Sequence, residues 1–333
     1  MKVLFSFLAV ILLIVVATMG AFITNLHYVF GIIIPYIALA MFVGGFIYRV
    51  VKWGQSPVPF RIPTTIGQQK SLPWIKQNKI ENPTSAFGVI VRMAMEVLFF
   101  RSLFRNTKTE LREGQNGPEL AYGSAKWLWL GSLFFHWSFL IIIVRHFRFF
   151  LDPIPFFVQA LESVDGMLQI GLPAIYLTDA FILVAISFLL LRRFVVPQVR
   201  YISLPADFFP LFMIMSIAIS GVLMRYFYKV DLVAVKQLAI GLATFQPVLP
   251  TEIGPMFFIH IFLVSILFAY FPTSKLMHMG GVFMSPTRNM ISNNRMVRHI
   301  NPWNPEVEVH TYEQYEDEYR VKMKKAGIPV EKE

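Results

Sequence analysis

Four histidines fall where the chain is most apolar, in two groups of fixed spacing. His136 and His146 are ten residues apart, and His260 and His278 are eighteen apart. Imidazole is the commonest metal ligand among side chains, and polar groups inside membrane segments are costly and usually functional. Each histidine alone could simply bond a neighbouring carbonyl, a reading that four on two segments make harder to hold. The chain has no cysteine, which excludes disulfides, zinc–thiolate sites, cysteine-ligated iron–sulfur clusters and covalent c-type haem. A redox cofactor here must rest on histidine or methionine, or be held without covalent help. Met256, Met277 and Met279 could ligate iron, but the four histidines already make a sufficient set.

Depth suggests how they pair. If the segment with His136 and His146 runs from inside to outside and the segment with His260 and His278 returns, His146 matches His260 near the outer face. His136 then matches His278 near the inner face. Each couple can clamp one haem iron from two sides, as bis-imidazole ligation requires. Ten helical residues rise about 15 Å and eighteen about 27 Å, a mismatch of roughly 12 Å that tilt or sloping rings must absorb. On one straight helix His260 and His278 share a face, while His146 stands about 80° round from His136.

Other chemistry-bearing residues gather nearby. Asp179 sits in the apolar run YLTDAFIL and is the candidate proton acceptor; a bond to a neighbouring helix or a water pocket is the plainer reading. Arg145, Arg148 and Arg225 cluster toward the expected outer end, where they could meet haem propionates or orient a quinol, or simply snorkel. Lys275, close to His278, could serve the inner propionates or merely end a helix. Trp137 and the many phenylalanines read as packing or lipid-facing groups. His27, His299 and His310 lie in short turns or the polar tail.

The elements that must carry these residues are membrane helices. The 333 residues are 56% hydrophobic with a mean hydropathy of +0.57. Apolar runs of about 20 residues match a hydrocarbon core of roughly 30 Å, and unbroken runs without alternation mean helices rather than a barrel. Residues 3–23 are too long for a signal-peptide core and are expected to stay as a first span; 28–50 form a second. Four more are expected at 126–147, 170–191, 206–228 and 254–275. The fold class is thus an all-α polytopic bundle of about six spans. Residues 1–50 form two N-terminal helices, 51–125 a basic loop, 126–277 a four-helix di-haem core, and 278–333 a polar tail for partner docking.

From Arg49 to Lys126 there are twelve Lys and Arg against five Glu. Within that loop Ala86–Phe104 is expected as an amphipathic helix on the inner face, or a short re-entrant segment. Residues 151–169 hold Asp152, Glu162 and Asp165 and no Lys or Arg. The positive-inside rule therefore puts the basic loops and both termini in the cytoplasm, and it accounts for the net charge of +10 without nucleic acid. The 74-residue stretch 51–124 is too long for a plain connector and reads as a partner contact.

The spacings His136-x9-His146 and His260-x17-His278 resemble those of the nitrate reductase gamma-subunit family, which implies the same crossed pairing. That family has five spans, so this chain carries an extra N-terminal one and a longer first cytoplasmic loop. The segments PFRIPTTIGQQKSLPWIK (59–76), FFRSLFRNTKTELREG (99–114), WLWLGSLFFHWSFL (127–140), QVRYISLPADFFP (198–210) and KLMHMGGVFMSPTRNM (275–290) look like the DsrM-type cytochrome b subunits of DsrMKJOP complexes. The resemblance implies two haems b, menaquinol as the substrate oxidised, and electrons passed to a cytoplasmic DsrK-like iron–sulfur subunit in dissimilatory sulfite reduction. It also implies a periplasmic multihaem cytochrome c, a periplasmic iron–sulfur protein and a second membrane subunit, with no activity for this chain alone.

Three alternatives compete. A heterodisulfide-reductase or nitrate-reductase type cytochrome b keeps the class and changes the partner; the long loop and the SPTRN segment (285–289) argue against the nitrate type. A transporter would be expected to show half-repeats and midplane charge, and the sequence has no repeat. A purely structural anchor for other redox subunits is the third.

Overall fold

A computed structural model describes residues 2–58, 67–115, 117–166, 174–297 and 306–332. The beginning of the 59–76 segment, the start of the expected span at 170, and His299 lie outside the described residues.

The chain is mostly helical. Helix α1 is Lys2–Phe22 and α2 is Ile34–Gly54, the latter entered through one 3₁₀ and one π turn. The expected inner-face helix is α3, Ala86–Phe99, followed at once by the short α4, Arg101–Arg105. The loop also contains a β-hairpin that helical patterning did not anticipate. Strand β1, Thr107–Gly114, pairs antiparallel with β2, Gly117–Ser124, from Thr107 opposite Ser124 to Gly114 opposite Gly117. The remaining helices are α5 (Lys126–His146), α6 (Phe156–Asp165), α7 (Leu177–Val195), α8 (Pro197–Ile202), α9 (Pro205–Tyr226), α10 (Leu232–Ala243), α11 (Pro255–Tyr270), α12 (His278–Gly281), α13 (Pro286–Asn289) and α14 (Tyr312–Lys325).

Among the described residues five helical segments are long and apolar enough to cross a membrane: Lys2–Phe22, Thr24–Gly54, Lys126–Phe149, Pro205–Tyr226 and Pro255–Thr273. The sixth expected span corresponds to α7. It has 19 residues and packs between α5 and α9, but carries Asp179 in its first turn and Arg192 and Arg193 in its last. Those three charges, not its length, set it apart from the other five.

The core lies where α1, α9 and α11 meet. Ala17, Met213, Phe258 and Leu263 are almost wholly buried there, while the outward faces keep large apolar side chains exposed, as a bilayer-facing surface requires. Helix α11 packs on α1, α2 and α9, and α5 packs on α7. Pro205 starts α9 at a position where a missing N–H costs nothing, and Ser6 of α1 donates to its carbonyl at 2.8 Å.

One expectation about α11 is corrected. His260 and His278 do not lie on one straight helix. Helix α11 ends at Tyr270, a 3₁₀ turn holds Pro272, and Ser274 is extended (φ −105°, ψ 176°) and caps Leu276 N at 3.1 Å. Proline cannot donate to the helical ladder, so the chain turns there. From His260 to Tyr270 is ten residues, about 15 Å of rise, the same as from His136 to His146. The other eight residues pass through two 3₁₀ turns with the extended Ser274 between them, so they add no straight α-helical rise to those ten.

Helix α2 seats the break. A Cβ on Gly45 would stand 2.6 Å from Pro272 Cβ, so only glycine admits the proline ring at this distance. Arg49 Nε donates to Pro272 O at 3.2 Å, and Phe42 meets Phe271 edge-on at 5.4 Å.

Candidate functional site

The four histidines meet as two couples. Ring centroids of His146 and His260 are 6.5 Å apart with planes 8° from parallel, and those of His136 and His278 are 6.0 Å apart with planes at 82°. An imidazole nitrogen sits about 2 Å from its metal and roughly 1.1 Å from its own ring centre, so two rings flanking one ion have centroids about 6.3 Å apart. Both couples match that spacing.

The tautomers match as well. Nδ1 of His136 lies 2.8 Å from Ser132 O, that of His146 2.6 Å from Ile142 O, and that of His278 2.8 Å from Lys275 O. Nδ1 of His260 lies 2.8 Å from Ser220 Oγ. A carbonyl only accepts, so the first three Nδ1 atoms carry the proton and leave Nε2 with a free lone pair. Metal-binding histidines are ordinarily oriented in this way. Among the described residues α5 and α11 do not pack closely on each other, although His146 of α5 and His260 of α11 meet across the space between them. Ring spacing, tautomer and helix separation together fit a flat iron–porphyrin held by histidine on both sides.

Beside His146 lies a buried polar cluster whose members come from α5, α6, α7 and α9. Arg145 Nε is 3.1 Å from Asp165 Oδ2, and its Nη2 is 2.9 Å from Asp179 Oδ1 and 3.1 Å from Thr178 Oγ1. Thr178 donates to Asp165 through its backbone N at 2.9 Å and its hydroxyl at 2.6 Å. Tyr226 donates to the other oxygen of Asp179 at 2.8 Å. The Tyr176 ring lies between the guanidiniums of Arg145 and Arg225, each 3.7 Å from its centroid. Two buried carboxylates and two guanidiniums cancel in charge, which is the condition for burying any of them.

Asp179 is thus bonded to two neighbouring helices. Arg145 is committed to carboxylates, and Arg148 pairs with Glu162 at 2.9 Å. Arg225 donates to Ala174 O at 3.0 Å, and its Nε has no acceptor among the described residues. Lys275 pairs with Asp207 at 2.6 Å. His27 stacks on Phe258 at 4.1 Å and bonds Ala21 O, and His310 lies 3.7 Å from Glu318; neither joins a couple. Trp137 donates through its indole to Leu98 O at 3.0 Å, and Met277 is buried in the turn before His278.

Toward the other couple, the long loop folds back as a cap. Trp129 and Trp137 pin it to α5 by bonds to Phe99 O and Leu98 O. The next residue, Phe100, takes the left-handed conformation (φ +50°), and its ring stands edge-on to His136 at 4.9 Å. Glu81 holds Arg101 and Arg105 at 2.9 and 2.6 Å, and Glu96 accepts from Ser102 and pairs with Arg288 at 3.3 Å. Arg92 is 5% exposed with Nη1 unpartnered among the described residues, and burial pushes its guanidinium below the usual value. Asp165 entered the sequence reading only as loop charge, and Ser220, Tyr176, Phe100 and Arg92 were not assigned to a site, because nothing in their spacing ties them to the histidines.

A helical membrane bundle with two histidine couples at iron-spanning distance has the architecture of the b-type membrane cytochromes. The chain belongs to the nitrate reductase gamma subunit family, whose model matches residues 84–299 and so spans all four histidines. It is similar to the Hdr-like menaquinol oxidoreductase cytochrome b-like subunit of Archaeoglobus fulgidus, 46% identical over 284 residues, covering 83% of this chain and 84% of that protein. The protein of the same description from Archaeoglobus profundus is 44% identical over 283 residues, covering 83% of each.

Proposed function

We propose that this chain is the di-haem cytochrome b subunit of a membrane-bound menaquinol oxidoreductase. The observation that carries the reading is the pair of imidazole couples at iron-spanning separation. The names of the two relatives support the class of substrate. His146 with His260 would hold the outer haem b and His136 with His278 the inner one. Arg225 and Arg92, each with an unpartnered buried guanidinium nitrogen, are the candidate partners for propionates. A bis-histidine haem b supplies one-electron redox chemistry without an open coordination site.

The residues of the chain then set the path. Quinol oxidation releases two electrons and two protons, so it needs a docking place at one couple and a route for protons to the nearby face. We place it at the outer couple, where the charged cluster lies. Asp179 is the candidate proton acceptor. Arg145 and Tyr226 stabilise its anion, so proton uptake requires one of those bonds to open. Wild-type quinol oxidation in Asp179→Asn would remove it from that role. At the inner couple the cap offers the contact for a cytoplasmic iron–sulfur subunit. The basic ends of the bundle support a cytoplasmic-membrane location, six crossings with α7 included, and both termini inside.

The finer reading, a DsrM-like subunit serving sulfite reduction, rests on the five sequence segments; identifying the co-purifying cytoplasmic subunit tests it against the heterodisulfide-reductase alternative. The haem reading is tested by a reduced-minus-oxidised spectrum with haem counted per chain. Two haems b are expected in the wild type, and one each in His136→Ala and His260→Ala. A spectrum without a b-type signal would sink the proposal and favour transport.

A further inference from the structure

Three of the four imidazoles are oriented by their own helical stretch. His136 and His146 give Nδ1–H to the carbonyl four residues back, and His278 to the one three residues back. His260 departs from this pattern. Its Nδ1 leaves α11 altogether and meets Ser220 Oγ of α9 at 2.8 Å.

The direction of that bond follows from proton accounting. Ser220 Oγ also lies 2.9 Å from Ile217 O. The carbonyl has no proton, so the serine hydroxyl must donate to it. Toward His260 the serine oxygen is left only as an acceptor, and Nδ1 of His260 must therefore be the donor. Nε2 is then the lone-pair nitrogen, on a ring whose centroid is 6.5 Å from that of His146. Ser220 is 5% exposed, so water cannot readily take its place.

We propose that Ser220 is a positioning residue for the outer centre: by accepting from Nδ1 it fixes the tautomer of His260 and tunes its strength as an iron ligand. The proposal rests on the haem reading above. Donation from Nδ1–H makes Nε2 more basic, and a more basic ligand favours ferric over ferrous iron. Removing the serine, which leaves the His260 ring only the Ile217 carbonyl as an acceptor, should therefore raise the reduction potential of the His146–His260 centre and leave the other unchanged.

The test is a redox titration of the full chain, purified with its haem, following both centres by visible absorption and the ferric state by electron paramagnetic resonance. Outer-shell partners of metal ligands typically matter 10–100-fold. In Ser220→Ala the ferric-to-ferrous preference of one centre should fall at least tenfold, about 59 mV upward for a one-electron couple. Ser220→Thr, which keeps the hydroxyl, should restore it. Loss of one haem in Ser220→Ala with retention in Ser220→Thr would also support the role. Retained haem with both potentials unmoved in Ser220→Ala overturns this proposal alone, as does equal haem loss in both variants. A wild-type chain without haem overturns the haem reading and this proposal together.

Discussion

Replacing Arg145 with methionine removes the cation that two buried carboxylates share. The arginine side chain is 8% exposed, and those of Asp165 and Asp179 are 4% and 15% exposed. Methionine fills much of the same volume, so the loss is electrostatic rather than a cavity. Taking one partner from a buried pair costs about 3–5 kcal/mol, because the remaining charge is uncompensated. Asp165 keeps two bonds from Thr178 and Asp179 keeps one from Tyr226, which places the cost toward about 3 kcal/mol. Lost stacking on Tyr176 adds about 1 kcal/mol. Adding Asp179→Asn removes one stranded charge and should recover part of the loss, with a coupling energy of at least about 1 kcal/mol. Unfolding in detergent, followed by helical circular dichroism, measures both. A single-variant cost under about 1 kcal/mol, or strict additivity in the double variant, would refute the idea that Arg145 is held by these acids.

Two further outcomes are expected. On the di-haem reading proposed above, Gly45→Leu should push Pro272 out of its seat and displace the turn before His278, costing the haem of the His136–His278 couple while the other stays; equal loss of both, counted by haem per chain, would contradict it. In the tail, the backbone N–H groups of Glu331 and Lys332, together with Arg320, hold the Glu316 carboxyl below its ordinary value. A carboxyl depressed on folding stabilises the fold above its unfolded value of about 4.3, and that contribution is lost as pH falls through the folded one. Protection of the Glu331 and Lys332 amides, relative to the intrinsic exchange rate at each pH, should therefore fall on acidification below about pH 4.3, and Glu316→Gln should show reduced protection at every pH.

The helices and the histidine couples were legible because both follow from local rules. Span length reads off hydropathy, and pairing reads off depth once the direction of each helix is set. What stayed hidden depends on contacts between distant segments. The reading of 51–125 as a basic loop with one helix left out the β1–β2 hairpin, whose strands hold only eight residues each and whose Leu111, Leu120 and Tyr122 are exposed. Asp179 stood out as an acid in an apolar run, yet Asp165, which shares Arg145 with it, counted only toward the charge of its loop. Ser220 looks like any small residue on a packed helix, since only the fold brings it to His260.

The break after Tyr270 ties these observations together. A straight α11 would carry His278 about 12 Å too far along the bundle to face His136. Pro272 stops the helix, Ser274 restarts the chain, and Gly45 with Arg49 on α2 fixes where the turn lies. The spacing of the last two histidines is therefore not a helical period. It is ten residues of helix, matched to α5, plus eight residues of turn, and the N-terminal helix α2 is needed to hold that turn in place. Because the family match begins at residue 84, the seat of the inner couple depends on a segment outside the matched region. That dependence follows from packing at one glycine and one proline, and it gives α2 a role in the site that its own apolar sequence does not reveal.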